Sequence, residues 1–396
     1  MLSTDQAIAK ILEVCEPLAI EQVSIDQAIG RALAAEVRAK RTLPPWDNSA
    51  MDGYAVRASE AIAGAKLTLG DTIFAGQKAT RPLAKGEAAR IMTGAPVPPG
   101  ADAVVMQEKT KADGGGVEIL EAAKPRLNVR AMGEDARAGE PLLAEGTPLG
   151  IIEAGLLWAQ GETEARVRRR PVVAIVSTGD ELVPVGQAQG DRIVDTNAPT
   201  IAWAVSRAGG TPKPLGIATD TPEAVKARLA QGLDADVLVT LAGVSVGDKD
   251  FVKPALESLG VQTIFWRIAI RPGKPLYVGR KGNTLVFGLP GNPLSSMVCF
   301  ELYLRPALRA LLGLPKLPAP RVPGRIATGF KKAPGLTHYV RATVAPGTLD
   351  ATPLPTQTSG ALSSGSQATH LIEVPDEVEQ LKPNDPVRLI PVTWNA

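Results

Sequence analysis

From Pro171 onward, short apolar runs alternate with helical patterns, and this alternation restricts the available folds more than any other feature of the chain. Val172-Val173-Ala174-Ile175-Val176 is continuous, apolar and β-branched, as a strand covered on both faces must be. A helix is expected from about Asn197, with Pro199 in its first turn. Pro214-Leu215-Gly216-Ile217 reads as a second strand, and Thr221-Pro222-Glu223 opens a second helix. Val237-Leu238-Val239-Thr240-Leu241 is a third strand, followed by a helix to Leu259. Thr263-Ile264-Phe265-Trp266 and Thr284-Leu285-Val286-Phe287 supply further strands, and a long helix from Leu294 to about Leu312 closes the segment. Strand and helix in turn imply a mostly parallel, doubly wound sheet.

At 396 residues the chain has room for roughly two to four domains. Ser3 to Cys15 reads as a helix with Ile8, Ile11, Leu12 and Cys15 on one face and Ser3 or Thr4 as cap. Trp46 to Ala136 is β-rich, with pieces such as Lys66-Leu67-Thr68-Leu69 and Ala103-Val104-Val105-Met106 set between Gly/Pro clusters. Ile151 to Gln160 is again helical, and Arg166-Val167-Arg168-Arg169-Arg170 reads as a solvated basic linker. After the proline-rich linker Leu314 to Pro323, about five short strands without a helix suggest a small β-barrel or sandwich.

Composition excludes several chemistries. A net charge of +2 gives no sign of nucleic acid or an anionic membrane as partner. Cys15 and Cys299 are the only cysteines and stand far apart, which argues against a disulfide framework or a zinc site. His338 and His370 are the only histidines, so a histidine triad has little to draw on; both read as structural or surface groups. Cys299, on an apolar helix face, reads as core. Catalysis must rest on carboxylates, Lys/Arg and hydroxyls, with or without a hard cation such as Mg²⁺. The chain has no apolar leader and no run of spanning length, so a cytoplasmic location is expected.

The loops after the expected strands carry the chemistry, because ligands of a doubly wound sheet bind beyond the strands' carboxyl ends. They are Ser177-Thr178-Gly179-Asp180-Glu181, Gly243-Val244-Ser245-Val246-Gly247-Asp248-Lys249-Asp250, Arg271-Pro272-Gly273-Lys274-Pro275 and Gly288-Leu289-Pro290-Gly291-Asn292-Pro293-Leu294-Ser295. Their glycines let backbone N–H groups approach an anion, Arg271 and Lys274 add positive charge, and the carboxylates suit Mg²⁺ between phosphate oxygens. Taken singly, Asp180 and Glu181 could cap a segment, Asn292-Pro293 could start a helix, and Arg271 and Lys274 could form surface ion pairs. Four such loops on one edge point to a phosphate-bearing ligand. Gly243-Val244-Ser245-Val246-Gly247 has nucleophile-elbow spacing, but two histidines make a hydrolase triad a poor fit.

Pro44-Pro45-Trp46-Asp47-Asn48-Ser49-Ala50-Met51-Asp52-Gly53-Tyr54-Ala55-Val56 reads as a rigid polar loop, with too little apolar content for a core element. Paired prolines fix an extended entry and Asp52-Gly53 supplies a turn.

The segments Asp47 to Ala55, Ile91-Met92-Thr93-Gly94-Ala95-Pro96-Val97-Pro98, Gly133-Glu134-Asp135 and Ser177 to Leu182 occur in a telling order. With Gly243 to Asp248, Arg271 to Pro275 and Leu289 to Pro293, they resemble the molybdopterin molybdenumtransferases, the MoeA family, whose eukaryotic counterparts include the gephyrin E domain. The match covers nearly the whole chain. It implies a multidomain α/β plus β protein with a small helical and extended linking domain (residues 1–45 with 137–170) and a β-rich second domain (46–136). A doubly wound molybdopterin-binding α/β domain (171–313) and a C-terminal β-barrel (318–396) would follow. It further implies an elongated homodimer whose cleft lies between the α/β domain of one subunit and the second domain of the other.

The implied reaction inserts molybdate into adenylylated molybdopterin, with Mg²⁺, releasing AMP and forming molybdenum cofactor. The pathway partners would include the molybdopterin adenylyltransferase. Carried over by motif, Asp52, Thr93, Asp135, Glu181, Asp248 and Asp250 would be catalytic, with Glu181, Asp248 and Asp250 on the metal. Ser177, Gly179, Asp180, Gly243, Ser245, Gly247, Arg271, Lys274, Pro275, Asn292, Ser295, Arg341 and Ser359 would hold the pterin, phosphate and molybdate. One departure is Thr240-Leu241-Ala242-Gly243, where the family usually has Thr-Ser-Gly-Gly; a hydroxyl and a glycine are lost just before the central loop. That departure motivates an alternative, a non-catalytic pterin-binding or scaffolding relative. A third reading, the adenylyltransferase itself, is disfavoured by the second-domain loop and Gly133-Glu134-Asp135.

Overall fold

Residues 1–243 and 250–395 are described by the computed structural model, Asp113 by its backbone alone. The chain forms two compact units: Met1–Ala34, Gly146–Ile151 and Glu164–Ala396 make one, Ala35–Glu145 and Ile152–Thr163 the other.

The larger unit is built on a six-stranded sheet in the order Thr211–Ala218, Val172–Thr178, Val237–Leu241, Thr284–Leu289, Tyr277–Lys281, Gln262–Trp266. The first four strands are parallel. Tyr277–Lys281 runs against them, and Gln262–Trp266, antiparallel to it, returns to the common direction. Tyr277–Lys281 is absent from the sequence reading, because Gly279, Arg280 and Lys281 interrupt its apolar run.

Both faces of the sheet are dry. Val173, Ile175, Val237, Val239, Leu285 and Phe287 pack with the helices Thr4–Val14, Asn197–Arg207 and Pro293–Cys299. Ala174, Val176, Leu238 and Val286 pack with Pro222–Gly232 and Val252–Ser258. The first helix begins with a capping box: Gln6 N–H donates to Ser3 Oγ, and Ser3 N–H to Gln6 Oε1. Thr221 caps the helix at Pro222 through the Ala224 N–H. The expected helix from Leu294 to Leu312 is present, with a π turn over Phe300–Leu304.

The C-terminal strands close a barrel: Thr337–Val344, Asp350–Pro353, Val322–Ile326, Pro386–Pro391, His370–Val374 and back to the first. Ile326, Val340, Ala342, Ile372 and Leu389 fill it. The short strand Ile270–Arg271 adds to its edge beside Thr337 and His338. A helix at Leu362–Gln367 lies where the sequence suggests none, since Leu362-Ser363-Ser364-Gly365-Ser366-Gln367 carries no apolar period.

The smaller unit holds a second six-stranded sheet, ordered Ala103–Met106, Gly53–Val56, Glu87–Ile91, Lys66–Ile73, Gly116–Ile119, Thr110–Asp113. This corrects the reading of the 44–56 run as loop throughout, because Gly53–Val56 is buried along its whole length. A side chain at Gly53 would lie 2.0 Å from the Val105 carbonyl oxygen, so only glycine admits this pairing.

The basic run is not a linker either. Glu164–Arg168 pairs with Ile20–Ser24, and Arg169 forks onto both Asp236 carboxylate oxygens at 2.7 and 2.6 Å. Asp236 also accepts the Val172 N–H at 2.8 Å, which ties the run to the start of the first sheet strand. Asp236→Ala leaves these donors unmatched, and we expect a loss of about 2 kcal/mol in chemical denaturation followed by far-UV circular dichroism. An unchanged transition would return the arginines to the role of surface charges.

Candidate functional site

The carboxyl edge of the parallel strands carries Ser177, Thr178, Asp180, Glu181 and Thr240. Ser177 and Thr178 end the first strand and are buried; Thr178 Oγ1 donates to the Leu241 carbonyl at 3.4 Å. The Ser177 and Thr240 hydroxyls have no hydrogen-bond partner among the described residues. Gly179 has φ +148, and a side chain there would meet the Glu181 carboxylate at 2.7 Å, so that carboxylate lies over the strand end. Asp180 and Glu181 are exposed.

The edge also brings in Asp220, which the sequence reading passed over. Its N–H donates to Asp180 Oδ1 at 3.0 Å, while the Asp180 N–H reaches Asp220 Oδ2 at 3.4 Å. The signal was available: Thr219-Asp220 follows the second parallel strand as Ser177 to Glu181 ends the first. Among the expected residues, Ser245, Gly247 and Asp248 lie outside the described residues. Gly243 sits at φ +69 and Asp250 is half-buried.

Leu241 is buried in the core with Val237 and Val239, so its side chain points away from any ligand at the edge. Ala242 carries the conformational cost: its φ is +72, and its N–H donates to the Leu289 carbonyl at 3.1 Å.

A cleft of about 580 Å³ opens within this unit, walled by Ile270 to Pro275, Ser295, Leu336 and Gln357 to Ser359. Arg271, Lys274, Pro275, Ser295 and Ser359, chosen from distant parts of the chain, thus meet. Arg271 and Lys274 are exposed and have no ion-pair partner among the described residues, unlike the surface pairs weighed above. The Leu294 N–H donates to the Ser359 carbonyl at 3.0 Å and fixes the two hydroxyl-bearing segments together. Asn292 is exposed at the start of the helix and makes no side-chain cap.

Arg341 is not among the lining residues. Fully buried, it donates from Nε to Ser364 Oγ at 3.1 Å and from Nη2 to the Thr356 and Thr358 carbonyls at 3.0 and 3.1 Å. It stands behind the 356–359 segment and shapes it. Burial lowers its pKa. Cys299 is buried as expected, and desolvation pushes its thiol well above the ordinary range.

In the smaller unit, Asp52 and Thr93 meet directly. The Thr93 N–H and hydroxyl both donate to Asp52 Oδ1 at 2.7 Å, and they hold the Asp52 carboxyl below its usual range. Asp135 is exposed, with its N–H on the Leu43 carbonyl at 3.0 Å. Asp47, outside the expected set, anchors the same loop: it accepts the Met132 N–H at 2.8 Å and pairs with Arg126.

Two outcomes follow. Thr93→Val removes a donor to ionised Asp52, so the Asp52 midpoint should move up in an NMR titration, and an unmoved midpoint would mean the bond is not formed. The sign is that of a depressed carboxyl: the stabilisation is present above the unfolded pKa and is lost as pH falls through the folded one. Ala242→Gly relieves the positive φ and should stabilise by about 0.5–1 kcal/mol, seen as a raised thermal midpoint; a lowered midpoint would mean the methyl group packs usefully.

Three family models match the chain: MoeA N-terminal region (domain I and II) over residues 2–161, a probable molybdopterin binding domain over 174–310, and MoeA C-terminal region (domain IV) over 323–392. A molybdopterin molybdenumtransferase of Haemophilus influenzae is 39% identical over 346 residues, 86% of this chain and 85% of its own. One from Bacillus subtilis is 34% identical over 388 residues, 94% of this chain and 90% of its own. The crystal structure of the molybdopterin biosynthesis MoeA protein from Pyrococcus horikoshii OT3 has a TM-score of 0.86 at 26% identity and covers 99% of this chain and 100% of that one. With family models on every part of the fold and relatives aligned along most of its length, the chain belongs to the MoeA family of molybdopterin molybdenumtransferases.

Proposed function

We propose that the protein inserts molybdate into adenylylated molybdopterin, releasing AMP and forming molybdenum cofactor. The observation that carries this reading is the cleft in which Arg271, Lys274, Ser295 and Ser359 converge. Molybdate is a tetrahedral dianion, and an arginine and a lysine with two hydroxyl donors match its charge and its acceptors. The dithiolene sulfurs belong to the pterin, so two buried cysteines are no obstacle.

Ser177, Gly179, Asp180, Gly243 and Asn292, together with Ser245 and Gly247, would receive the pterin and its phosphates. Asp52, Thr93 and Asp135 would supply acid, base and orienting groups, with Thr93 keeping Asp52 ionised. Arg341 acts through the segment it holds.

Mg²⁺ is the cation this chemistry calls for. Among the described residues no three carboxylate, His or Cys side chains form a ready cage. Mg²⁺ commonly keeps several waters and takes substrate phosphate oxygens with one or two carboxylates. Glu181 and Asp250, with Asp248, would hold it, and Asp220 adds a fourth candidate beside Asp180. When bound, the ion would offset charge on the departing AMP phosphate.

We read the chain as four domains with the boundaries given above, acting as a homodimer in the same pathway as the molybdopterin adenylyltransferase. The helix Ile151–Ala159 supports a partner copy, since Ile151, Ile152 and Trp158 are 81%, 79% and 62% exposed on it. Among the described residues no helix is long and apolar enough to cross a membrane.

The decisive experiment incubates the protein with adenylylated molybdopterin, molybdate and Mg²⁺ and follows AMP and cofactor. Wild type should yield both, and Asp52→Ala should lower the rate by roughly 100-fold or more while its far-UV circular dichroism stays that of the folded protein. No AMP and no cofactor from wild type would leave a protein that binds pterin without inserting metal.

A further inference from the structure

Two walls of the cleft hang from one barrel strand, Thr337–Val344. Ile270–Arg271 pairs with Thr337 and His338 at its start, and Arg341, further along, holds the 356–359 segment. The N-terminus of the chain is fastened to the same strand in two ways. Along the backbone, the Ala269 N–H donates to the Leu2 carbonyl and the Thr337 N–H to the Ala269 carbonyl, both at 2.9 Å. Leu2 therefore lies on one side of the 268–271 segment and the barrel strand on the other. Side chains repeat the connection. The Tyr339 hydroxyl reaches Thr4 Oγ1 at 2.7 Å and Glu373 Oε1 at 3.0 Å. Arg321 Nη2 donates to Asp5 Oδ1 at 2.7 Å and to Glu373 Oε1 at 3.0 Å.

Thr4, Tyr339 and Glu373 are buried, and none of them lines the cleft. Burial, with the Glu373 charge beside it, pushes the Tyr339 pKa up, so the phenol keeps its proton for these acceptors. Polar groups are costly to bury, and apolar side chains would join the same surfaces without that cost. What the polar set adds is a single arrangement, because hydrogen bonds fix direction and distance where apolar contact tolerates sliding. Ala269 stands just before the strand Ile270–Arg271, and Tyr339 and Arg341 alternate on one side of theirs. A shift at the clasp therefore reaches both walls.

We propose that Thr4 and Asp5, with Tyr339, Glu373 and Arg321, are positioning residues for the cleft: they set the spacing of Arg271 from Ser359 without touching a ligand. Hydrogen bonds are directional, so an oxyanion that spans the two walls loses contacts when they drift apart. The clasp follows from the contacts just given. That the oxyanion is molybdate rests on the insertion reaction proposed above.

The test compares Tyr339→Phe and Thr4→Val with wild type, each confirmed as folded by far-UV circular dichroism. Hydrogen exchange read by mass spectrometry on the ligand-free full chain should be faster over 268–271 and 356–359 in both variants. The strands Val172–Thr178 and Val237–Leu241 should exchange as in wild type. Calorimetric titration with molybdate should show affinity lowered about threefold to tenfold, the scale of one hydrogen bond. Thr4→Ser, which keeps the hydroxyl, should behave as wild type in both readouts. Unchanged exchange at either wall, or exchange raised equally in the sheet strands, would overturn the proposal. So would unaltered molybdate affinity in variants whose walls exchange faster. A wild type that bound no molybdate would count against the insertion reading and leave exchange to decide the clasp.

Discussion

Burial of the central sheet on both faces is the constraint from which the site follows. Val173, Ile175, Val237, Val239, Leu285 and Phe287 face one layer of helices, and Ala174, Val176, Leu238 and Val286 face the other. Strands of this kind have no solvent face on which to carry polar side chains, so polarity is confined to their ends. The buried hydroxyls Ser177, Thr178 and Thr240 mark where the apolar pattern gives out, and the loops that follow emerge together on one edge. The strand ends at Thr178, Ala218, Leu241 and Leu289 become neighbours because parallel strands all end on the same side.

The wall contributed by the barrel depends on a different device. Arg341 is a wholly buried cation with backbone carbonyls and a serine hydroxyl, rather than a carboxylate, as its acceptors. Those acceptors all belong to the 356–364 segment, whose inward-turned carbonyls would otherwise lack donors in the dry interior. The same region is held from the C-terminus, where Trp394 Nε1 and Asn395 Nδ2 donate to the Gly365 carbonyl at 3.1 and 2.8 Å. Thr393 in turn donates to Glu301, buried on the π turn, at 2.7 Å. Ser359 is thus presented by backbone fixed on several sides, although no regular element contains it.

Local signals in the sequence carry the α/β sheet well. Continuous β-branched runs, Pro199 and Pro222 in first helical turns and the Ser3 capping box each act within a few residues. What they miss is decided by tertiary contact. Arg169 reads as solvated charge until Asp236, 67 residues away, supplies a fork. Gly53–Val56 reads as loop because its burial depends on strands at Glu87–Ile91 and Ala103–Met106. Asp220 goes unnoticed because its meaning lies in facing Asp180 across two strand ends. Arg271, Lys274, Ser295 and Ser359, picked out by loop composition and by the resemblance, line one cleft, whereas the depth of Arg341 is not legible in the sequence, since arginine is so rarely buried.

Cys299 shows how the two walls of the cleft become one piece. It lies one helical turn after Ser295, and its Sγ is 3.8 Å from the Gly273 carbonyl. Gly273 adopts φ +111, and a side chain on it would come within 2.6 Å of that sulfur. Glycine is therefore required twice over, for the backbone angle and for the close approach. The turn that carries Arg271 and Lys274 rests directly on the helix that carries Ser295, so the separation of cation and hydroxyl is set by core packing rather than by loop conformation. The thiol that might be taken for a nucleophile is instead the contact that fixes the spacing, and its desolvation is a consequence of that role.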